Sequence, residues 1–192
     1  MKRCEWCIGN KLYEKYHDEE WGKVIYDDKI LFEFLILESA QAGLNWLTIL
    51  KKRENYRKAY DGFDYTVVAK YDEKKIEELI NDKGIVRNKL KVRASINNAI
   101  KFIEIQNEWG SFYNYLWSFT DGNQIVNRVK NIKEVPSKTD LSDIISKNMK
   151  KRGFKFIGTT IIYAYLQAVG VVDDHVDGCI ATKKGKCSKK VM

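Results

Sequence analysis

Apolar residues recur at intervals of three and four positions along most of the chain, and no segment alternates apolar and polar residues over a sustained length. The first pattern places the apolar side chains on one face of an α-helix, whereas alternation would indicate a strand. Pro136 is the sole proline, and the glycines fall between the periodic segments. Because glycine and proline mark turns, the pattern predicts an all-α fold.

The periodic segments define a series of predicted helices. They cover residues 11–21, 28–42, 46–56, a short segment after 64, 73–80, 87–109, 111–119, 140–151 and 160–169. Asp27 or Asp28 is expected to cap the second helix and Gly43 to end it. Arg53 is placed on the polar side of the third helix, and the polar segment 121–138 is predicted to be a loop.

Composition bounds the class of protein. The 192 residues are 44% hydrophobic and 12% aromatic, enough for a folded core and unlike a disordered chain. We predict one helical domain over residues 1–180, either as a single body or as two lobes flanking a pocket, and a basic flexible tail over 181–192. No apolar segment is long enough to span a membrane, and the N-terminus lacks the pattern of a secretion signal. We therefore expect a cytoplasmic monomer without a membrane partner.

Charge adds a candidate partner. Lys and Arg number 34 against 26 Asp and Glu, which gives a net charge of +8. A basic surface suits a polyanion such as nucleic acid, although many basic proteins bind none.

The segment 150–160 brings basic side chains to a predicted hairpin between two helices. Gly153 and Gly158 are expected to permit the turns, and the first amides of the following helix have no partner inside it. With Lys155 nearby, these amides would suit a phosphate. An ordinary helical corner with solvated lysines explains the same residues, and on these residues alone it is the favoured interpretation.

Histidine and cysteine residues suggest a metal site without defining it. His175 and Cys179 stand four positions apart, a spacing that a metal ion can bridge. The other candidates are His17, Cys4, Cys7 and Cys187. Four Cys and His ligands would favour zinc, whereas a buried thiol beside a capping histidine needs no metal.

A set of aromatic residues precedes and follows Glu38. Rings with one carboxylate would suit a cationic heterocycle, because the rings attract its charge and the carboxylate accepts its N–H groups. Glu38 as a solvated residue at a helix end, with the rings in the core, is the simpler alternative. Leu44, in the bend after this helix, would either insert into a base stack or fold back onto the core.

Longer segments carry a resemblance to a known family. They are RCEW at 3–6, YHDEEWG at 16–22, LESAQAGLNW at 37–46, LKKRENYR at 50–57, KRGFKFIGTT at 151–160 and DHVDGC at 174–179. In order and spacing they resemble DNA-3-methyladenine glycosylase I, and the match covers residues 3–179. Cys7 and Cys187 depart from the family pattern.

The resemblance implies a helix–hairpin–helix glycosylase fold and assigns roles to individual residues. One structural zinc ion would be held by Cys4, His17, His175 and Cys179. Glu38 is the predicted catalytic residue, and the predicted base-binding residues are Tyr16, Trp46, Trp6, Tyr13 and Trp21. The predicted DNA contacts are Gly43, Leu44, Gly153, Lys155, Gly158, Thr159 and Thr160.

The implied activity is hydrolysis of the N-glycosidic bond of 3-methyladenine in alkylated double-stranded DNA. The products would be free 3-methyladenine and an abasic site, without strand cleavage. Asp173 and Asp174 lie where related glycosylases commonly use an aspartate, but we assign catalysis to neither. The alternatives are a glycosylase of the same fold acting on another lesion and a zinc-stabilised DNA-binding protein without activity.

Overall fold

The computed structural model describes residues 2–184, and within them nine α-helices form the body of the protein. They are α1 (Lys11–Glu19), α2 (Asp28–Gln41), α3 (Trp46–Ala59), α4 (Tyr65–Val68), α5 (Glu73–Asn81), α6 (Lys89–Trp109), α7 (Phe112–Ser118), α8 (Asp140–Lys151) and α9 (Thr159–Ala168). The prediction of a mostly helical fold is confirmed. None of the described helices combines the length and apolarity needed to cross a bilayer.

Side-chain caps explain why the helices begin where they do. Asp27 accepts hydrogen bonds from the amides of Lys29 and Ile30 at the start of α2. Asn88 caps α6 in the same way. Each cap satisfies a backbone donor that has no partner within its own helix. Since a cap and its amides lie within three residues of each other, these boundaries follow from local sequence.

Helix α2 is the interior helix of the fold. Ten consecutive residues, 31–40, are buried, and α2 contacts α3, α6, α7 and α9. A helix that is buried on all sides must be apolar on all sides, and α2 is apolar except at a few positions. Glu33 and Glu38 are two of those exceptions, so each requires a partner or a function.

Arg53 corrects the predicted polar side of α3. Its side chain is buried, and Nε donates to Glu33 Oε1 at 2.5 Å while Nη1 donates to Glu20 Oε2 at 2.6 Å. The guanidinium also lies 4.9 Å from the centroid of the Phe34 ring. A buried charge is tolerated when it is paired and hydrogen-bonded, and Glu33 of the interior helix is that partner.

A small parallel β-pair corrects the purely helical prediction. Strand β1 (Ile125–Val126) pairs with β2 (Val172–Asp173), with Ile125 opposite Val172. The first strand and a 3₁₀-helix at Ile132–Glu134 lie in the segment predicted to be a loop. Two-residue strands are too short to show alternation, so the pattern along the chain carried no sign of them.

The described chain continues for a few residues past the predicted C-terminal boundary of the domain. A 3₁₀-helix covers Ile180–Lys184, and Ala181 is buried in the core. The described chain is therefore folded beyond residue 180, which was predicted to be the last residue of the domain. Residues 185–192, including Cys187, lie outside the described residues.

Candidate functional site

A cavity of about 320 Å³ lies beside the end of α2. All six residues predicted to form a base pocket line it: Trp6, Tyr13, Tyr16, Trp21, Glu38 and Trp46. Further lining residues are Gln41, Ile132, Val135, Ala164 and Gln167. The structure thus brings together side chains from the N-terminal segment, three helices of the first third of the chain, and α9.

The aromatic residues form a fixed wall rather than separate rings. Trp6 packs edge-to-face on Tyr13, at 5.0 Å between centroids, and on Trp21 at 5.1 Å. On the other side, the Tyr16 and Trp46 centroids are 5.5 Å apart. Edge-to-face and tilted pairs are favourable arrangements of aromatic quadrupoles, so the rings hold one another in place and a flat ligand meets a preformed surface.

Glu38 is the acidic group of this cavity. The residue is only 3% exposed, which excludes the interpretation as a solvated residue at a helix end. Oε2 is buried without a hydrogen-bond partner in the described chain. Burial raises the pKa of this carboxyl to about 8, because a charge without a partner is costly in an apolar environment. A strongly perturbed acid in a cavity is a candidate for ligand binding or catalysis.

The bend after α2 faces outward. Gly43 has a φ of +81°, a left-handed conformation that glycine adopts without steric cost. Leu44 is 43% exposed, so it does not fold back onto the core. A groove of about 200 Å³ runs along the bend and the start of α9, lined by Glu38, Gln41, Ala42, Gly43, Leu44, Thr160, Ile161 and Ala164. Because the groove shares Glu38 and Gln41 with the cavity, the two are adjacent.

Lys91 of α6 fixes the position of this bend. Its Nζ donates to the carbonyl of Ala40 at 2.8 Å and to that of Ala42 at 2.6 Å. The last carbonyls of a helix have no partner inside that helix, and here an ammonium group supplies one at the negative end of the helix dipole. Burial lowers the pKa of Lys91.

The hairpin between α8 and α9 differs in detail from the expectation. Gly153 has a φ of +93°, as expected for a turn glycine. The backbone conformation at position 158 does not require a glycine, because the φ of Gly158 is −58°. A Cβ at Gly158 would meet no atom of residues 2–184 within 4 Å, so the backbone there lies open to the surroundings. The second residue with a positive φ in the hairpin is Phe156, at +52°.

Asn98 of α6 holds the hairpin in register. It is fully buried, accepts from the amide of Lys155 at 2.8 Å and donates to its carbonyl at 2.9 Å. The backbone of Lys155 is therefore engaged, and only its exposed side chain faces outward. Arg152 is turned away, with Nη1 at 2.5 Å from Glu108 Oε2.

A basic groove lies beside the hairpin. Its volume is about 450 Å³, and its lining residues are Asp143, Ser146, Lys147, Lys150, Lys151 and Thr159. Three lysines thus surround the start of α9, where backbone amides and the helix dipole favour an anion.

A buried cluster where the N-terminal segment meets the loop after α9 is able to hold a metal ion. The ligand atoms of Cys4, His17 and Cys179 all lie within 4.8 Å of one another, and all three residues are buried. Cys179 Sγ lies 3.4 Å from His17 Nε2. Residues 162 positions apart in the chain therefore meet in one donor set of the type that zinc prefers.

The histidines near this cluster are oriented as metal ligands usually are. Nδ1 of His17 lies 2.8 Å from Asp18 Oδ1, and Nδ1 of His175 lies 2.6 Å from Asp173 Oδ1. A carboxylate on one ring nitrogen leaves the other as the ligand atom. His175 Nε2 is buried and has no partner among the described residues, and the two rings are 4.9 Å apart. The group of ligand atoms that lie within 4.8 Å of one another contains three of the four predicted ligands and not His175, but this orphaned nitrogen keeps His175 as the candidate for the fourth.

Two neighbours of the cluster have structural roles. Gly22, with a φ of +74°, allows the His175 ring to approach, because a Cβ there would lie 2.9 Å from His175 Cε1. Cys7 is also buried, but its thiol donates to the carbonyl of Cys4 at 3.0 Å, and it is not part of the cluster.

Sequence reasoning missed Lys91 and Gln167. The contacts of Lys91 with α2 span about fifty positions, so no local pattern indicated them. Gln167 lies three residues after Ala164 on α9, and both line the cavity. Helical spacing was a usable signal there, once one of the two was known to face the cavity.

Comparisons with known proteins agree with this geometry. Residues 6–182 match the family model described as methyladenine glycosylase. The chain is 46% identical to DNA-3-methyladenine glycosylase 1 of Escherichia coli (strain K12) over 179 residues, which is 93% of this chain and 96% of that protein. It is 42% identical to DNA-3-methyladenine glycosylase of Haemophilus influenzae over 177 residues, which is 92% of this chain and 96% of the relative.

The fold is shared with solved structures as well. A structure of 3-methyladenine DNA glycosylase I from Staphylococcus aureus, described as giving the structural basis of 3-methyladenine recognition, superposes with a TM-score of 0.91. The two chains are 35% identical, and the alignment covers 94% of this chain and 96% of that one.

Proposed function

The chain belongs to the methyladenine glycosylase family, and we propose that it is a DNA repair enzyme that releases 3-methyladenine from alkylated double-stranded DNA. It hydrolyses the N-glycosidic bond and leaves an abasic site. The helix–hairpin–helix architecture is part of the proposal, with α8, the hairpin and α9 as the DNA-binding unit. Its action as a monomer in the cytoplasm remains a prediction.

The observation that carries the proposal is the buried Glu38 carboxyl in a cavity walled by aromatic rings. An unpartnered acid of this kind lowers stability unless a ligand supplies the missing interaction. Adenine that is methylated at N3 carries a positive charge and keeps its exocyclic amine. The positive charge is attracted to the rings and to the carboxylate, and the N–H groups of the amine donate hydrogen bonds to the carboxylate.

DNA would be held at the hairpin. Phosphates bind Lys147, Lys150 and Lys151 and the first amides of α9, at Thr159 and Thr160. Gly158 supports this part of the proposal, because the space beside its backbone lets a phosphate approach closely. These contacts position the duplex and carry no sequence information.

The bend after α2 would open the duplex. Leu44 is an exposed apolar side chain beside the groove that adjoins the cavity. Inserted into the base stack, it fills the space that the damaged nucleotide vacates when it rotates out of the duplex. The nucleotide then follows the groove past Gly43 and Gln41 into the cavity.

Inside the cavity, the contacts that recognise the damaged base are also those that promote its release. The rings of Tyr16 and Trp46 stack on the base, and Glu38 accepts its N–H groups. Unmodified adenine is neutral and gains less from both. The positive charge also makes 3-methyladenine a good leaving group, so water attacks the sugar carbon as the base departs. No lysine serves as nucleophile in this scheme, and the DNA strand stays intact.

The metal cluster completes the proposal. A single zinc ion is held by Cys4, His17, His175 and Cys179, and when bound it supplies bonds that tie the N-terminal segment to the loop after α9. Trp6 lies two residues after Cys4, and its ring centroid is 5.4 Å from that of His17. The zinc site thereby supports one wall of the cavity without taking part in the reaction.

The function is tested by incubating the purified protein with methylated duplex DNA and identifying the bases that are freed. Release of 3-methyladenine with an abasic site in an uncut strand is the expected result. Release of a different base alone would favour a same-fold glycosylase for another lesion. DNA binding without any base release would indicate a non-enzymatic DNA-binding protein.

Stability should depend on pH through Glu38. The folded state raises the pKa of this carboxyl from its ordinary 4.5 to about 8. The folded state therefore favours the protonated carboxyl. The stability of the protein is highest below pH 4.5 and falls as pH rises to about 8, because the unfolded state loses its proton first. The Glu38→Gln variant lacks this dependence, so its stability relative to the wild type should grow by roughly 3–5 kcal/mol over that range. Denaturant unfolding at several pH values measures the difference, and a pH-independent difference would contradict the raised pKa.

Lys91→Met should weaken base release by about tenfold, since the variant loses two charge-assisted hydrogen bonds to the α2 carbonyls. Without them the Leu44 bend is free to move, and the opened duplex is less well held. Lys89→Met is the matched control, because Lys89 is exposed and pairs with Glu77 at 3.9 Å. Two quantities are measured for each variant: the rate of base release from methylated duplex DNA and the affinity for free 3-methyladenine. The affinity of Lys91→Met for the free base should equal that of the wild type. Equal rates for the two variants would refute the role of Lys91.

A further inference from the structure

Gln167 of α9 is a polar residue of the cavity wall whose orientation is set from behind. Its amide nitrogen, Nε2, donates to Asp174 Oδ2 at 2.6 Å. Asp174 is almost fully buried, at 1% exposure. Tyr163 donates its hydroxyl to the same oxygen at 2.5 Å, and Asn127 donates Nδ2 to the other carboxylate oxygen at 2.8 Å.

This arrangement fixes which end of the amide faces the cavity. A carboxylate accepts hydrogen bonds and donates none, so the NH₂ group of Gln167 must point toward Asp174. The amide oxygen then points away from Asp174. It receives no hydrogen bond from a described residue and is not among the fully buried polar atoms that lack a partner, so it is at least partly accessible. Since Gln167 lines the cavity and its amide nitrogen is engaged by Asp174, we place the free amide oxygen in the cavity wall.

The cavity wall therefore carries the Glu38 carboxylate and the Gln167 amide oxygen as acceptors, beside the hydroxyls of Tyr13 and Tyr16 and the amide of Gln41. An exocyclic amine has two N–H donors and is able to satisfy both Glu38 and Gln167. A purine with a carbonyl oxygen in the same position brings an acceptor where the amine would donate, so it loses the donors at that position and places like partial charges together. A site built to accept an N–H group discriminates strongly against a ligand that lacks it.

We propose that Gln167 is a specificity-determining residue, whose amide oxygen accepts a hydrogen bond from the exocyclic amine of the expelled base and thereby selects 6-amino over 6-oxo purines. The inference rests on the proposed glycosylase function and adds a second contact to the base. Asp174 is a positioning residue in this scheme. It does not touch the base, but it holds the amide in the orientation that presents oxygen.

The experiment compares 3-methyladenine and 3-methylguanine, both present in methylated duplex DNA, as released bases. For Gln167→Met, the ratio of 3-methyladenine to 3-methylguanine release should fall about tenfold. This is the fold-change that corresponds to the loss of one hydrogen bond to a charged base. The fall should come from slower release of 3-methyladenine. Methionine has nearly the length of glutamine and fills its place, and Gln167→Leu provides a second variant if the first fails to fold.

Tyr163→Phe is the matched control. It removes another hydrogen bond to the same Asp174 oxygen, but Tyr163 does not line the cavity. It should lower the melting temperature of the protein and leave the release ratio at the wild-type value. A change in stability alone thus cannot produce the expected result.

Two outcomes overturn the inference, and they are distinguishable. A wild-type protein that releases no 3-methyladenine refutes the proposed function and the inference together. A wild-type protein that releases it, with the same ratio in Gln167→Met or with an equal shift in Tyr163→Phe, refutes only the role of Gln167.

Discussion

Glu38→Gln is expected to lower the rate of 3-methyladenine release by a factor of about 100 to 1,000, the usual effect of removing one preorganised electrostatic contact from a closed site. Glutamine keeps the size of the side chain and one acceptor oxygen. It loses the negative charge that attracts the cationic base, and it presents N–H donors where the base itself donates. Single-turnover release from methylated duplex DNA measures the effect.

The physical basis of this prediction is the isolation of the carboxyl group. Oε2 has no partner in the described chain, and burial raises the pKa of the group to about 8. A cationic base arriving in the cavity supplies the missing countercharge, so the carboxyl ionises when the base binds. The interaction between the two charges is strong because little water screens it.

Two controls make the result specific. The exposed Glu19, paired with Lys15 at 4.0 Å, is changed to glutamine in the matched variant and should release base at the wild-type rate. The affinity of Glu38→Gln for duplex DNA should also stay unchanged, because the proposed phosphate contacts lie at the hairpin. If Glu38→Gln released base normally, Glu38 would have no part in the reaction.

His175→Ala should lose the bound zinc and lower the melting temperature by about 10 °C. A ligand present at a thousand times its dissociation constant stabilises a fold by about 4 kcal/mol, and each kcal/mol corresponds to about 2–4 °C for a chain of this size. Elemental analysis of the purified protein gives the metal content, and calorimetry gives the melting temperature. Neither measurement depends on activity.

The neighbouring cysteine provides the comparison. Cys7→Ser replaces a buried thiol whose hydrogen bond goes to the Cys4 carbonyl, so this variant should retain one equivalent of zinc. Removal of the metal from the wild type with a chelator should reproduce the instability of His175→Ala. A wild-type protein that contains no metal and is not destabilised by the chelator would disprove the structural role.

The helical parts of the fold were predictable because their signals are local. Asp27 was one of the two residues expected to cap α2, and it does so. Asp64 and Asp72 cap α4 and α5 in the same way, next to the predicted starts of these helices. The limits of α6 and α8 also agree with the apolar period to within a few residues. In each case the residues that decide the structure lie within one or two helical turns, and periodicity reports them directly.

Predictions that depended on distant partners were weaker. Arg53 was placed on a polar face, but Glu33 of the interior helix draws it inside. The sequence offered two environments for Glu38, solvent or pocket, and had no means to choose between them. Gly158 was expected to allow a turn, whereas its backbone is ordinary and only the space beside it is unusual.

By itself, the sequence determined the helical character of the chain, its membership of the family and the set of residues worth testing, because capping, periodicity and motif order are properties of neighbouring residues. Only the tertiary structure decided that Glu38 is buried with no partner among the described residues, that Lys91 holds the bend, and that the amide nitrogen of Gln167 faces Asp174. Burial, pKa and the direction of a hydrogen bond depend on atoms that folding brings together from distant positions. They were therefore beyond the reach of any local pattern.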